Sequence, residues 1–270
     1  MRVITCIKQV PDTTQVKIDP VTNTLVRDGI PFIINPYDVH AIEESLRLKD
    51  RFGLHTTALS MGPPNAEAAL KRALALGMDD AVLLSDRAFG GADTLSTSNV
   101  LATAIKKLSQ DRPLGLVICG KQTIDGDTAQ VGPGIAVRLG LSQLTLVDRI
   151  ESLDFLANRI RVRRKLEGRY EIVEARLPAM ITVVREINQP RYPTVPMRMQ
   201  AGKSPITVWD NETLKLDTNT IGLKGSPTWV SKIFSPERDK GEMLGDGLSD
   251  PVGSTRLLME RLLAHDLLTA

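Results

Sequence analysis

The 270-residue sequence predicts an α/β fold, a mostly parallel twisted sheet with helices on both faces. Two observations lead there. Short apolar runs rich in β-branched residues alternate with segments of helical period. A hydrophobic content of 42 % with 24 % charged residues suits a soluble protein that buries one sizeable core.

The strands come first: Val3 to Ile7, His55 to Met61, Ala81 to Leu84 and Leu116 to Cys119 read as buried parallel strands. Helical segments separate them. The first has Asn35 as N-cap, Pro36 at the first helical position, and Val39, Ile42 and Leu46 on one face, and it ends near Gly53. The second starts near Asn65, carries Ala69, Leu70, Ala73 and Leu74, and stops at Gly77. The third begins at Asp93 or Thr94 and carries Val100, Leu101, Ile105 and Leu108. A fourth follows Asp127 or Thr128 and reaches Leu139. This alternation implies right-handed crossovers and a nucleotide-binding, Rossmann-like domain. From Leu144 four closely spaced strands (144–150, 159–166, 170–176 and 179–184) suggest an antiparallel addition, so the domain covers residues 1–199. Residues 200–270 read as a Pro- and Gly-rich extended arm that ends in a leucine-rich helix, Thr255 to Leu268. Such an arm gains most by packing on another subunit, and folding back on its own domain is the alternative.

Charge and composition narrow the function. With 34 basic and 32 acidic residues there is no strong field to draw nucleic acid. The one dense basic run, Arg161 to Lys165, reads as the solvated face of a strand, with a partner-docking patch as the other option. The N-terminus opens as a strand rather than a signal peptide, and no apolar run is long enough for membrane insertion, so a cytoplasmic protein is expected. Cys6 and Cys119 are far apart in sequence, which suits reduced thiols, and the three histidines show no metal-ligand spacing. Any redox role then needs an organic cofactor.

In open parallel sheets, ligands bind beyond the carboxyl ends of the strands. Two of the segments placed there join glycines to Asp- and Thr-rich helix starts: SDRAFGGADTLSTS (Ser85 to Ser98) and GKQTIDGDTAQVGP (Gly120 to Pro133). Free N–H groups and a partial positive charge at helix starts accept phosphate, Thr hydroxyls add donors, and glycine lets the backbone come close. Simple N-caps and turns would use the same residues. Neither segment is a GxGxxG fingerprint or a P-loop. No nucleophile motif is present either, and Asp12, Asp38, Asp125 and Asp127 read as caps and turn formers.

These segments, with CIKQVPD, INPYDVHAIEESLRLKD, LSMGPP and QPRYPTVPMRMQAGK, resemble the beta subunit of electron-transfer flavoproteins along nearly the whole chain. The last of them resembles the loop with which that family recognises acyl-CoA dehydrogenase partners. The simple members hold AMP in this subunit, and the electron-bifurcating members hold FAD. Lys17 to Gly29, Ser85 to Ser98, the DGDTAQVGP loop and Ile221 to Pro236 resemble the bifurcating kind. For the site, the resemblance implies Cys6, Asn35, Pro36, Tyr37, Asp38, Met61 and Gln122 around the adenosine and phosphates. It adds Asp125, Gly126, Asp127, Thr128, Ala129, Gln130, Val131, Gly132, Pro133 and Ala136 to that group. With FAD, Asp93, Thr94 and Thr97 would reach the ribityl and pyrophosphate. As partners it implies an alpha subunit and a flavin-containing dehydrogenase. NADH would be the electron donor and ferredoxin the low-potential acceptor.

Overall fold

A computed structural model describes residues 1–12, 17–18, 25–26, 31–228 and 241–268. Most of Lys17 to Gly29, and residues 229–236 of the Ile221 to Pro236 segment, lie outside the described residues. The chain forms two compact units, Met1–Ser231 and Lys232–Ala270.

The first unit begins with β1 (Arg2–Cys6), β2 (Gln9–Pro11), β3 (Lys17–Ile18), β4 (Leu25–Val26), β5 (Phe32–Ile34) and α1 (Pro36–Phe52). Next come β6 (His55–Met61), α2 (Glu67–Leu76), β7 (Asp80–Leu84), α3 (Thr94–Asp111), β8 (Leu114–Gly120) and α4 (Val131–Leu139). β9 (Ser142–Asp154), β10 (Arg159–Leu166), β11 (Arg169–Arg176), β12 (Ala179–Val183), α5 (Val195–Lys203), β13 (Thr207–Trp209) and α6 (Asn211–Leu214) complete it. The main sheet has nine strands in the order β11-β10-β9-β12-β8-β1-β6-β7-β13. Every neighbouring pair from β9 to β13 is parallel, and β10 and β11 are antiparallel additions. The predicted fold class is therefore the observed one.

The pleat sends alternate residues of β1 and β8 to opposite sides. Val3, Leu116 and Ile118 meet Ala41 and Leu48 of α1, and α2 continues that layer with Ala69, Leu70 and Ala73 against Ala58, Ala81 and Leu83. On the other side Ile4, Leu59, Val82 and Val117 meet Val100 and Ile105 of α3 and Ile135 of α4. Each Leu or Ile buried this way contributes about 1.5–3 kcal/mol. Gly53, Gly77 and Gly140 close α1, α2 and α4 in the left-handed conformation that a side chain resists.

Three expectations change. Of the four strands read as an antiparallel addition, β12 lies between β9 and β8, parallel to both and buried along its whole length. β9 is shared: its φ of 61° at Leu146 marks a bend where both pairings slip, so 142–147 pair with β12 and 147–154 with β10. Close spacing along the chain carries no strand direction, whereas two-sided burial suits a parallel interior strand. The start of α4 moves to Val131, because Asp127 and Ala129 have φ of 54° and 56°, which a right-handed helix cannot contain. Residues 207–228, placed in the arm by composition, pack with the first unit. There β13 pairs with β7, and Leu214 and Ile221 are buried in the α3 side of the core.

The basic run on β10 is largely engaged locally, with Arg163 on Asp148, Arg164 on Thr145 and Glu171, and Lys165 on Glu186. In the second unit α7 (Pro251–Ala264) is capped by Asp250, whose carboxylate accepts from the Gly253 amide, and none of its residues is buried.

Where α4 crosses α3, a Cβ on Gly134 would lie 2.7 Å from Ser98 Oγ and 2.8 Å from its Cβ. Gly134→Ala is expected to lower the unfolding free energy by about 1–3 kcal/mol in urea titration. In contrast Gly202→Ala, with open space around its Cβ, leaves stability unchanged or slightly raised.

Candidate functional site

The chain runs from β1 outward through β6 to β7, then returns to place β8 on the other side of β1. The ends of β1 and β8 diverge at this switch point, where a doubly wound sheet opens a crevice. A cleft of about 1000 Å3 lies there. All four segments that follow the strands line it: Cys6 to Lys8, Met61 to Pro64, Ser85 to Arg87 with Phe89 to Asp93, and Cys119 to Thr123 with Gly126 and Thr128 to Gly132. Asp38, Thr94, Thr97 and Leu101 complete the wall.

Asp38 holds the floor together. It is 4 % exposed, and its carboxylate accepts from the Lys8 amide at 2.8 Å and the Gly120 amide at 3.2 Å, one from each diverging strand. A Cβ at Gly120 would fall 2.3 Å from Asp38 Oδ1, so only glycine lets the two approach. Burial pushes the carboxyl up to about 7, against the opposing pull of Asn35 and these two amides. Cys6 and Cys119 are opposite each other in the β1–β8 register, both buried and both reduced. The hydrogen bond that the Cys119 thiol donates to Cys6, followed by burial, holds that thiol well above its ordinary value, so it stays protonated.

The loop from Lys121 to Gln130 is fixed from behind. Asn35, fully buried, makes no cap bond; its amide donates to the Gln122 carbonyl at 2.8 Å and accepts from the Ile124 amide at 3.2 Å. Lys8 Nζ sits 2.6 Å from Asp125, and Gln122 donates to Asp127. Burial would raise Asp125, but Lys8 and Thr123 take it below the usual carboxylate range. Left-handed Ala129 precedes right-handed Gln130. Such a reversal of hand turns consecutive N–H groups to one side and forms an anion-accepting concavity just before the start of α4. Left-handed Asp127 and Ala129 cost about 1–3 kcal/mol each, strain of the kind that accumulates at functional loops.

The second wall starts at a short turn, Arg87–Phe89, capped by Asp86, and leads to α3. Asp93 caps α3 by accepting from the Ser96 amide at 3.0 Å. Thr94 Oγ1 donates to Gln130 Oε1 at 2.9 Å, which joins the two walls. Lys8, Arg87 and Lys121 bring positive charge to the lining, and Met61, Phe89 and Leu101 make part of it apolar.

Of the residues singled out in the sequence, Cys6, Asp38, Met61, Asp93, Thr94, Thr97, Gln122, Gly126 and Thr128 to Gly132 face one cleft. Asn35, Asp125 and Asp127 stand behind it as supports. Tyr37 lies under the Arg185 guanidinium at 4.9 Å, Ala136 is buried in the core, and Pro36 and Pro133 occupy first turns of helices. Lys8, Arg87, Gly120 and Lys121 lie within the segments picked out in the sequence but were not named as site residues. Their signal is position at or just beyond the end of a strand.

The fold is that of a doubly wound α/β domain with a cleft at the carboxyl ends of its strands. The chain belongs to the electron transfer flavoprotein family: residues 22–214 match the Electron transfer flavoprotein domain. It is 48 % identical over 265 residues to "Protein FixA" of Azotobacter vinelandii, covering 97 % of this chain and 94 % of that one. It is 49 % identical over 245 residues to "Electron transfer flavoprotein subunit beta" of Clostridium acetobutylicum, covering 90 % and 92 %. With "Caffeyl-CoA reductase-Etf complex subunit CarD" of Acetobacterium woodii it shares 47 % over 257 residues, covering 94 % and 96 %.

Asp38 gives the domain a pH signature. Between its ordinary 3.8 and about 7 the folded chain keeps a proton that the unfolded chain has released. Its contribution to stability is complete below that window and is lost as pH rises through it. Asp38→Asn is expected to flatten the fall in urea midpoint between pH 5 and 7.5; equal slopes in both proteins would refute this assignment.

Proposed function

We propose that this chain is the beta subunit of a heterodimeric, electron-bifurcating electron-transfer flavoprotein that holds FAD in the cleft. NADH is the electron donor, and ferredoxin and a flavin-containing dehydrogenase are the acceptors. The observation that carries the reading is the continuity of the cleft over two phosphate-suited loops, with Thr94 hydrogen-bonded to Gln130 where they meet. A mononucleotide needs only the loop that ends at Gly132. A volume of about 1000 Å3 stands at the upper end of small-molecule pockets, which suits a dinucleotide. The lining fits one chemically: N–H groups before α4 and at the start of α3 for the pyrophosphate, Lys8, Arg87 and Lys121 for its charge, and Met61, Phe89 and Leu101 against a ring.

FAD, when bound, supplies two-electron acceptance and one-electron release. The chain's own part is to bind and exclude water. Asp38 and Asn35 fix the floor, the Ala129–Gln130 reversal offers amides to an anion, and Thr97, one turn into α3, adds a hydroxyl. We assign α7, where Leu258, Met259 and Leu263 are exposed, as a contact for the alpha subunit. The dehydrogenase is placed at the loop around Tyr192, which is 89 % exposed and set on α1 by the bonds from Arg191 to Glu43 and Asp50.

The CarD relative's name, a subunit of a caffeyl-CoA reductase complex, agrees with a dehydrogenase partner. Nucleotide released from the denatured heterodimer decides the cofactor: two FAD per heterodimer supports the reading, and one FAD with one AMP sinks it in favour of a non-bifurcating carrier. Thr94→Val with Thr97→Val is expected to lower FAD content to about one per heterodimer. Loss of residues 241–270 is expected to abolish co-purification with the alpha subunit while the first unit still folds.

A further inference from the structure

We propose that the segment Thr220–Thr228 is a strap that positions the Gly90–Thr97 wall, and so determines whether the cleft accepts a ligand longer than a mononucleotide. This rests on the dinucleotide reading for its ligand, but its geometry is independent of it. Ile221, 1 % exposed, anchors the strap in the core beside α3, and Asn99 of α3 donates to the Thr220 carbonyl at 3.3 Å. From that anchor the strap lies directly on the loop. Gly222 has φ +56°, and a Cβ there would come within 2.1 Å of the Ala88 carbonyl oxygen. The Leu223 amide donates to the Gly90 carbonyl at 3.0 Å, and the Leu223 side chain covers left-handed Gly91.

The strap then grips the residue that starts α3. Ser226 Oγ accepts from the Asp93 amide at 2.8 Å and donates to the Gly222 carbonyl at 2.6 Å. Thr228 donates twice to Asp93 Oδ2, from its amide at 3.2 Å and its hydroxyl at 2.8 Å, while Oδ1 takes the Ser96 amide. Asp93 therefore has both oxygens committed to protein donors. Burial would raise its carboxyl, yet the donors from Ser96 and Thr228 bring it below the ordinary value. Its role is to transmit the position of the strap to Thr94 and Thr97 rather than to contact a ligand. The Lys121–Gly132 wall meets this one through the Thr94–Gln130 bond but has its own anchors in Asn35 and Lys8, and these keep it in place when the strap loosens.

The test uses the full chain in its co-purified complex, stripped of nucleotide, as wild type, Thr228→Val, Ser226→Ala/Thr228→Val and the rescue variant Thr228→Ser. FAD and AMP are titrated into each, and amide hydrogen exchange is followed over residues 90–98 and 121–134. Expected is a loss of FAD affinity of about tenfold in Thr228→Val, more in the double variant, AMP affinity within about twofold, and recovery in Thr228→Ser. Exchange should quicken at 90–98 alone. Equal loss of both ligands, unchanged FAD affinity, or faster exchange across both walls would overturn the strap. If the wild type takes AMP but not FAD, the dinucleotide reading fails, and exchange at 90–98 alone then upholds or overturns the positioning.

Discussion

Two backbone amides, from the ends of strands that part company, converge on the single buried carboxylate of Asp38. A parallel sheet that reverses its winding leaves the last N–H groups of the two central strands without sheet partners, and in a buried place each would cost about 1–3 kcal/mol. The first turn of α1 provides the acceptor. Asn35 just before it reaches the other way, to the Gln122 carbonyl and the Ile124 amide. One helix start thus fixes the strand ends and the loop beyond them, and the cleft has its shape because both are fixed. The requirement for glycine at 120 follows from the same arrangement.

Much of this was legible in the sequence, for reasons that differ by element. The interior strands β1, β6, β7 and β8 are buried on both faces and so appear as short, mostly apolar runs, and closing glycines mark the ends of α1, α2 and α4. Given parallel strands, the cleft follows from topology, and Thr94, Thr97, Gly126 and Gln130 could be named before any coordinates. Strand direction was not legible: β12 looks in sequence like one more member of a meander, and its parallel placement depends on the bend at Leu146. Nor was the late start of α4 readable, since left-handed Asp127 and Ala129 carry no local signature of the kind glycine gives. The strap escaped for the converse reason. Its composition is that of a loop, and its burial rests on two residues, Ile221 and Gly222.

Asn35 shows how a correct local signal can name the wrong partner. An Asn ahead of Pro and two residues later an Asp is a sound helix-start pattern, and α1 does begin there. The side chain nevertheless leaves the helix N–H groups unattended and serves another segment 87–89 residues away. Sequence statistics of capping describe what a residue type can satisfy, whereas the fold decides which unpaired groups lie within its reach.

Lys8 enters the cleft already neutralised by Asp125 at 2.6 Å. An anion that takes this lysine must first evict a carboxylate, so the exchange is one ion pair for another and its net gain scales with how far the newcomer's charge exceeds one unit. A doubly charged phosphate wins that contest and a lone carboxylate only matches the incumbent. Asp125, already exposed, is then left without its lysine. The Lys8–Asp125 pair thus makes the cleft select for charge as well as for shape.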